Sequence, residues 1–303
     1  MKKIILPILL YISTFSFAQK QEVEVYFTAV RNKQATQSFS VNKKNESQYI
    51  KAIAVYLNDT LPSVRTEAYY LISNLGRQSQ QRNLRKDVVN LLIRGWRDTD
   101  SGINGMVATS LTRFEKQDFD RAAIDSIKGF LKRLPPYADR LFKLAGYLEL
   151  QDQVPVIKSY LEKQPSLPDR DKWACYISLA RLGDQQALDL ILNRVRTFGI
   201  NDDIVYEIFP DLVYTRSYRG ISYLVEVLFS DDRTCEAPAN GSGTKITCAY
   251  RVMELLAPAL KDYPVAVGTS GDLVARDYKK ALSEVREWFK QRDGKYEIIR
   301  DTF

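Results

Sequence analysis

The sequence predicts an all-α protein built as an array of about six stacked helix pairs. Three observations predict it. Apolar residues recur at three- and four-residue steps from about residue 48 almost to residue 291, the signature of amphipathic helices. Helix-breaking clusters interrupt that pattern at short intervals, among them Thr60-Leu61-Pro62, Asp98-Thr99-Asp100, Pro135-Pro136, Pro165 to Pro168, Gly183-Asp184 and Gly199 to Asp202. The second helix of each predicted pair starts at 63, 102, 137, 169 and 202, giving steps of 39, 35, 32 and 33 residues, and a recurring step of that size marks a helical repeat. A two-helix unit of this length cannot bury its own apolar face, so neighbouring units must stack into one continuous core.

Taken in order, residues 1–18 (MKKIILPILLYISTFSFA) combine Lys2 and Lys3, an uncharged apolar run and the small residues Ser16 and Ala18. This is the pattern of a cleavable bacterial-type secretory signal, cut after Ala18, and the run is shorter than the ~18–20 residues a spanning helix needs. The expected location is therefore periplasmic or secreted, with no membrane span. Residues 19–46 form a polar lead whose one apolar stretch, Val23 to Phe27, fits a short strand, an extended arm or an irregular helix. Residues 47–262 hold the repeats. The helices are expected at 48–58 and 63–75 (ended by Gly76), 84–96 and 102–114, 120–134 and 137–150, 154–163 and 169–182 (ended by Gly183), 185–198 and 202–214, then 218–229 and 248–260. A loop insert, 230–247, divides the last pair. Residues 263–303 supply a second loop and a capping helix at 271–291, apolar along Leu273, Val274, Tyr278, Leu282, Val285, Trp288 and Phe289.

Two segments carry a resemblance. Asp59-Thr60-Leu61-Pro62-Ser63-Val64-Arg65-Thr66-Glu67-Ala68, continuing to Leu71, Ile72, Leu75 and Gly76, resembles the second helix of a HEAT repeat: an Asp, a Pro, Val-Arg, an Ala, then Leu-Gly. Cys175 to Leu182, followed by Gly183-Asp184, is similar to the same helix in the short HEAT-like repeats of bilin-lyase type. Seven residues before the closing Leu stand Ala68 in one copy and Cys175 in the other, the small-residue position where two helices touch. The likeness covers about residues 48–214, and 218–260 weakly; the second and third copies lack the Val-Arg and Leu-Gly marks. It implies a right-handed α-α superhelix of ARM/HEAT type and binding of other macromolecules. It carries over no catalytic residue.

Composition removes several function classes. Histidine is absent and there are 3 cysteines among 303 residues, so no Ser-His-Asp triad, Cys-His pair, HExxH zinc site or thiolate metal cage can be assembled. No catalytic residue, metal site or cofactor is expected, and no nucleic-acid motif occurs. Cys235 and Cys248 bracket a turn-rich stretch and are expected to form a disulfide in an oxidising compartment. Cys175 lies within a helical pattern and reads as a small buried residue.

Charge is uneven: residues 77–143 hold 14 Lys/Arg against 8 Asp/Glu. Arg82, Arg85, Lys86, Arg94, Arg97, Lys128, Lys132 and Arg133 are the candidate binding residues, a basic patch for an acidic partner or an anionic envelope polymer. Interleaved acids favour the alternative, a solvated helix face. The insert at 230–247, with the loop at 263–270, is the best guess for a contact region, since long repeat loops often bind; tolerated insertion explains it equally well. Tyr206, Phe209, Tyr214, Tyr218 and Tyr223 fit helix–helix packing. Asp202-Asp203 and Asp231-Asp232 are adjacent in the chain, point apart and are not read as catalytic pairs. Gly241-Ser242-Gly243 is too short to cradle a phosphate, and the sequons at Asn58 and Asn240 read as chance matches. The expected function is an exported, non-catalytic scaffold that binds another protein. Narrower versions are a periplasmic immunity or inhibitor protein against a toxin, and an envelope scaffold on anionic polymer or a membrane surface.

Overall fold

The computed structural model describes residues 6–38, 41–164, 166–237, 243–268 and 273–303. Lys2 and Lys3 of the expected signal, Pro165, the Asn240-Gly241-Ser242 sequon and Gly271-Asp272 at the head of the expected last helix lie outside them. The described residues are helical apart from connections, one two-residue hairpin and two isolated bridges, so the all-α class holds. No helix among them is long and apolar enough to cross a membrane. The chain divides into two compact units, Met1–Leu141 and Phe142–Phe303.

The first unit contains α1 (Leu6–Arg31), α2 (Glu46–Ala54), α3 (Pro62–Gln78), α4 (Arg82–Arg94), α5 (Ser101–Leu111), α6 (Arg121–Leu131) and the start of α7 (Ala138–Tyr147). Helix α3 packs on α4 and α5, and α4 on α5 and α6. Contact with the next helix and the next but one is the packing of a HEAT-type solenoid. Side chains at helical spacing fill the seam: Val64, Ala68 and Ile72 of α3, Val88 and Leu92 of α4, Ile103, Val107 and Leu111 of α5 are fully buried. Breaks in the sequence act as caps. Asp100 accepts from the Ile103 N–H at 3.1 Å and Asp120 from the Ala123 N–H at 2.9 Å, each satisfying a first-turn donor.

Gly76 does not end α3, which continues to Gln78. Its use is close approach: a Cβ at Gly76 would stand 2.5 Å from Val88 Cγ1, so α3 and α4 meet there only without a side chain. The stretch from Val23 to Phe27, open between strand, arm and helix, lies in α1. Val23 and Phe27 are buried, and the Phe27 ring stacks on Tyr56 at 3.9 Å.

Charge also ties one helix pair to the next. Arg65 Nε and Nη2 grip Asp98 at 2.8 and 2.7 Å, while Nη1 donates to the carbonyls of Asp59 and Thr60 at 2.9 and 3.2 Å. The Arg of the HEAT-like Val-Arg mark is thus a repeat-to-repeat tie. A repeat later, Arg85 Nε holds Asp118 at 2.9 and 3.0 Å.

The second unit continues α7 into α8 (Val154–Lys163), α9 (Asp169–Arg181), α10 (Gln185–Arg196), α11 (Phe209–Tyr214), α12 (Tyr218–Phe229), α13 (Ala249–Leu256) and α14 (Tyr278–Arg292). Helix α9 packs on α10 and α11, and α11 on α12 and α13. Gly183 ends α9 with a left-handed φ of 94°. The helix expected at 202–214 is present, with residues 202–203 α-helical, a π-helical turn at Ile204–Ile208 and α11 following without a break. Pro210 lacks the N–H an α-helix would use there, and the wider turn accommodates the loss. The last helix begins at Tyr278, later than expected, because Asp277 accepts from the Lys280 N–H at 3.0 Å and so caps it. Leu273 instead bridges Val267. Beyond α14, Ile299 N–H donates to Ala259 at 2.8 Å and Lys261 N–H to Glu297 at 3.0 Å, laying the 297–299 stretch beside 259–261.

Candidate functional site

The insert between α12 and α13 is a hairpin of β1 (Cys235–Glu236) and β2 (Lys245–Ile246), paired antiparallel with Cys235 opposite Ile246. Cys235 and Cys248 are disulfide-bonded, as their spacing suggested, with Cα atoms 5.1 Å apart and both residues buried. The bond marks an oxidising environment. Further contacts seat the hairpin. Glu236 N–H donates to Asp202 Oδ2 at 2.7 Å, and the Thr247 hydroxyl donates to the Ser230 carbonyl at 2.9 Å.

Between this hairpin and α14 lies a cavity of about 740 Å³. Its helical wall is one face of α14, with Lys279, Leu282, Ser283, Arg286, Glu287 and Lys290 at steps of three and four. Arg233 and Lys245 line it from the insert side. Five cationic side chains therefore face two carboxylates, Asp231 and Glu287. Arg286 is structural in part: it donates to the carbonyls of Leu228 and Ser230 at 2.8 and 3.1 Å, closing the end of α12, and pairs with Asp231 at 2.9 Å. Lys245 pairs with Glu236 at 2.9 Å, and the Lys290 ammonium lies 5.9 Å from the Phe229 ring centre. Arg233 and Lys279 have no hydrogen bond or ion pair among the described residues. A concave surface with excess positive charge concentrates field and attracts acidic groups.

The sequence had marked the insert but not the basic face of α14, because residues 144–303 are acidic in sum and α14 reads as a cap. The signal was present as Lys279, Arg286 and Lys290 at steps of seven and four.

The eight candidate residues of the basic patch fall on α4 and α6, with the turns that follow them. Arg97 and Arg133 both neighbour the Phe130 ring, each 5.6 Å from its centre. Arg94 and Lys128 stand in the last turns of α4 and α6, and Lys132 caps α6, where positive charge complements the helix dipole. Arg82 opens α4 and is exposed, and Lys86 is half-buried one turn later. Arg85 is bonded to Asp118 and, at 3.2 Å, to the Ser79 carbonyl.

Among the described residues no group of three or more His, Cys, Asp or Glu side chains is placed to hold a metal ion. Cys175 is fully buried, and burial, with Asp171 nearby, pushes its thiol well above the usual range, so it is not a ready nucleophile. Phe209, Tyr214 and Tyr223 are core residues, whereas Tyr206 and Tyr218 are exposed. Asp202 and Asp231 are held by the Glu236 N–H and by Arg286.

Fold and site together define a class: an all-α helical-repeat protein of HEAT type with a disulfide-stapled insert. No protein-family model matches the chain, and no curated protein matches it. One solved structure, the complex of CpcE and CpcF of phycocyanin lyase from Nostoc sp. PCC7120, is similar over 88% of each chain at 13% identity and a TM-score of 0.48.

Proposed function

We propose that the protein is an exported, non-catalytic scaffold that binds an acidic surface of another protein in the groove between the disulfide hairpin and α14. The observation that carries this reading is the excess of cations in that groove, together with two of them, Arg233 and Lys279, that have no hydrogen bond or ion pair among the described residues. The bond that staples the groove's wall is consistent with export after cleavage at Ala18, in the periplasm or outside the cell. Within the solenoid class, the likeness of α9 to bilin-lyase-type repeats is supported by the buried, small-residue position of Cys175. A toxin-blocking immunity protein is the narrowest version of this role.

The test begins with affinity capture from the exported fraction and then measures binding against salt. Reversing Arg233 and Lys279 to Glu should weaken binding of the captured partner about tenfold or more and flatten its salt dependence, mainly through the on-rate. Neither side chain has a hydrogen bond or ion pair among the described residues, so the fold should survive. A stoichiometric partner indifferent to the double reversal would overturn the assignment to this groove. A second reading, attachment to an anionic envelope polymer, is favoured by Arg97 and Arg133 both neighbouring Phe130. It requires salt-sensitive pelleting with polymer that is lost when those two charges are reversed.

A further inference from the structure

The second unit holds a stretch of its own chain as a ligand would be held. A main-chain oxygen of each of residues 300 to 303 accepts a hydrogen bond from a side chain of the helical body. Arg181 Nη2 reaches the carbonyls of Arg300 and Thr302 at 2.9 and 2.8 Å. The Tyr147 hydroxyl reaches that of Asp301 at 3.0 Å, and Arg216 Nη2 that of Phe303 at 3.4 Å. Arg216 also donates to the Thr302 hydroxyl at 2.7 Å. The Phe303 ring lies against Tyr147 and Tyr214, with centres 5.5 and 5.2 Å apart.

Arg181 and Arg216 are 1% and 4% exposed, and no Asp or Glu side chain forms an ion pair with either among the described residues. Burial lowers both guanidinium pKa values, that of Arg216 to about 10. Their charge is instead met by carbonyls and by the faces of Tyr147 and Tyr214, which lie 5.3 and 4.5 Å from the Arg181 guanidinium. The occupying segment is not itself buried. Arg300, Asp301 and Thr302 are exposed, and the last ladder bond that anchors them is at Ile299. A cavity of about 350 Å³ adjoins the clamp, reached by Gln151, Gln185, Ser217 and Arg219 as well as by Arg181 and Arg216.

We propose that this is a peptide-binding groove occupied in cis by residues 300–303, and that its foreign ligand is an extended segment of another protein bearing a Thr or Ser followed by an aromatic residue. The contacts define that chemistry. Carbonyl recognition accepts any extended main chain, the hydroxyl bond to Arg216 selects Thr or Ser, and the Tyr147–Tyr214 cleft selects the ring. An empty groove would leave two buried guanidiniums short of acceptors, which is costly. Exchange of one segment for another is therefore favoured over simple opening. The adjoining cavity gives the incoming chain room to continue. This site shares no residue with the hairpin groove.

The test uses the full chain and a labelled acetyl-EIIRDTF peptide, read by fluorescence anisotropy. Phe303→Ala loosens the cis segment, so this variant should bind the peptide about tenfold or more tighter than the wild type, whose tethered segment competes at an effective concentration of about millimolar. Replacing the peptide's Phe by Ala should abolish binding. Reversing Arg233 and Lys279 should leave binding unchanged, which separates this site from the proposed partner groove. A folded Phe303→Ala chain that binds no better than wild type overturns the proposal.

If that variant does not fold, trypsin cleavage of the unaltered chain after Arg300 decides the matter. An arginine-free peptide, acetyl-EIIQDTF, at about millimolar concentration should accelerate the cut by exposing the displaced segment. Cleavage indifferent to saturating peptide would mean that residues 300–303 are a permanent part of the core. A concentration-dependent dimer that exchanges these segments between copies would overturn the assignment to a foreign partner.

Discussion

Asp98→Ala should destabilise the first unit by about 3–5 kcal/mol, a large part of the ~5–15 kcal/mol that holds a typical domain folded. The reason is the partner left behind. Arg65 and Asp98 side chains are 11% and 5% exposed and form a two-point pair. Removing the carboxylate leaves a guanidinium in a nearly dry site with only the Asp59 and Thr60 carbonyls. Arg65→Ala should cost a similar amount, and the double variant less than the two together, because the second deletion removes the stranded charge. Urea unfolding of the four chains measures the coupling. Asp125→Ala is the control: its pair with Arg121 joins side chains 96% and 64% exposed at 3.9 Å, and its loss should be close to neutral.

The same pair predicts a pH response. Burial alone would raise the Asp98 carboxyl, but hydrogen bonds from Arg65 and the Asp100 N–H, with the Arg65 charge, hold it below its ordinary value. Asp59, Asp120 and, in the second unit, Asp184 are lowered too. A carboxyl whose pKa falls on folding stabilises the native state above its unfolded value of about 3.9, and that stability drains away as pH drops through the folded value. The wild type should therefore lose stability below about pH 4, and Asp98→Ala should show a shallower loss in the same titration. An identical acid profile for the two chains would contradict the account.

Reducing the Cys235–Cys248 bond should cost the second unit about 3 kcal/mol, from the loop entropy returned to the unfolded chain. The bond closes a short loop with a sequence separation of 13. For a unit of this size the loss corresponds to a fall in melting temperature of roughly 6–12 °C, measurable by calorimetry with and without reductant. The hairpin carries Arg233, Lys245 and Thr247 into the basic groove, so reduction should also weaken the hairpin-groove partner. It should leave the acetyl-EIIRDTF peptide unaffected, since Arg181, Arg216, Tyr147 and Tyr214 are carried by segments other than the insert. Cys175 should stay unlabelled by alkylating reagents until the unit unfolds, because it is buried and its thiol is held protonated.

The helices were legible because their signals are local. The four-residue spacing of Val64, Ala68 and Ile72 needs only a turn or two of chain to read, and Asp100 and Asp120 mark helix starts within three residues of the donors they cap. The Cys235–Cys248 bond was legible for the same reason, as two thiols across a short turn-rich loop. Elsewhere a local sign misled. Gly76 has the look of a stop, yet its purpose is set by Val88 on the next helix. The apolar pattern from Leu273 onward has the look of a helix, yet the Asp277 carboxylate caps the helix at a start of Tyr278.

By itself the sequence determined most of the helices, their pairing and the need to stack them, since each amphipathic face must be covered and a neighbouring face can cover it. It also excluded histidine chemistry outright. Tertiary structure alone decided which charges were spent and which stayed available. Arg85 meets Asp118 across 33 residues, Lys279 has no hydrogen bond or ion pair among the described residues, and Arg181 reaches across 119 and 121 residues to grip the carbonyls of Arg300 and Thr302. A side chain's charge is written in its own letter, but whether that charge is neutralised depends on what packing brings within about 4 Å, and that neighbour is remote in the chain.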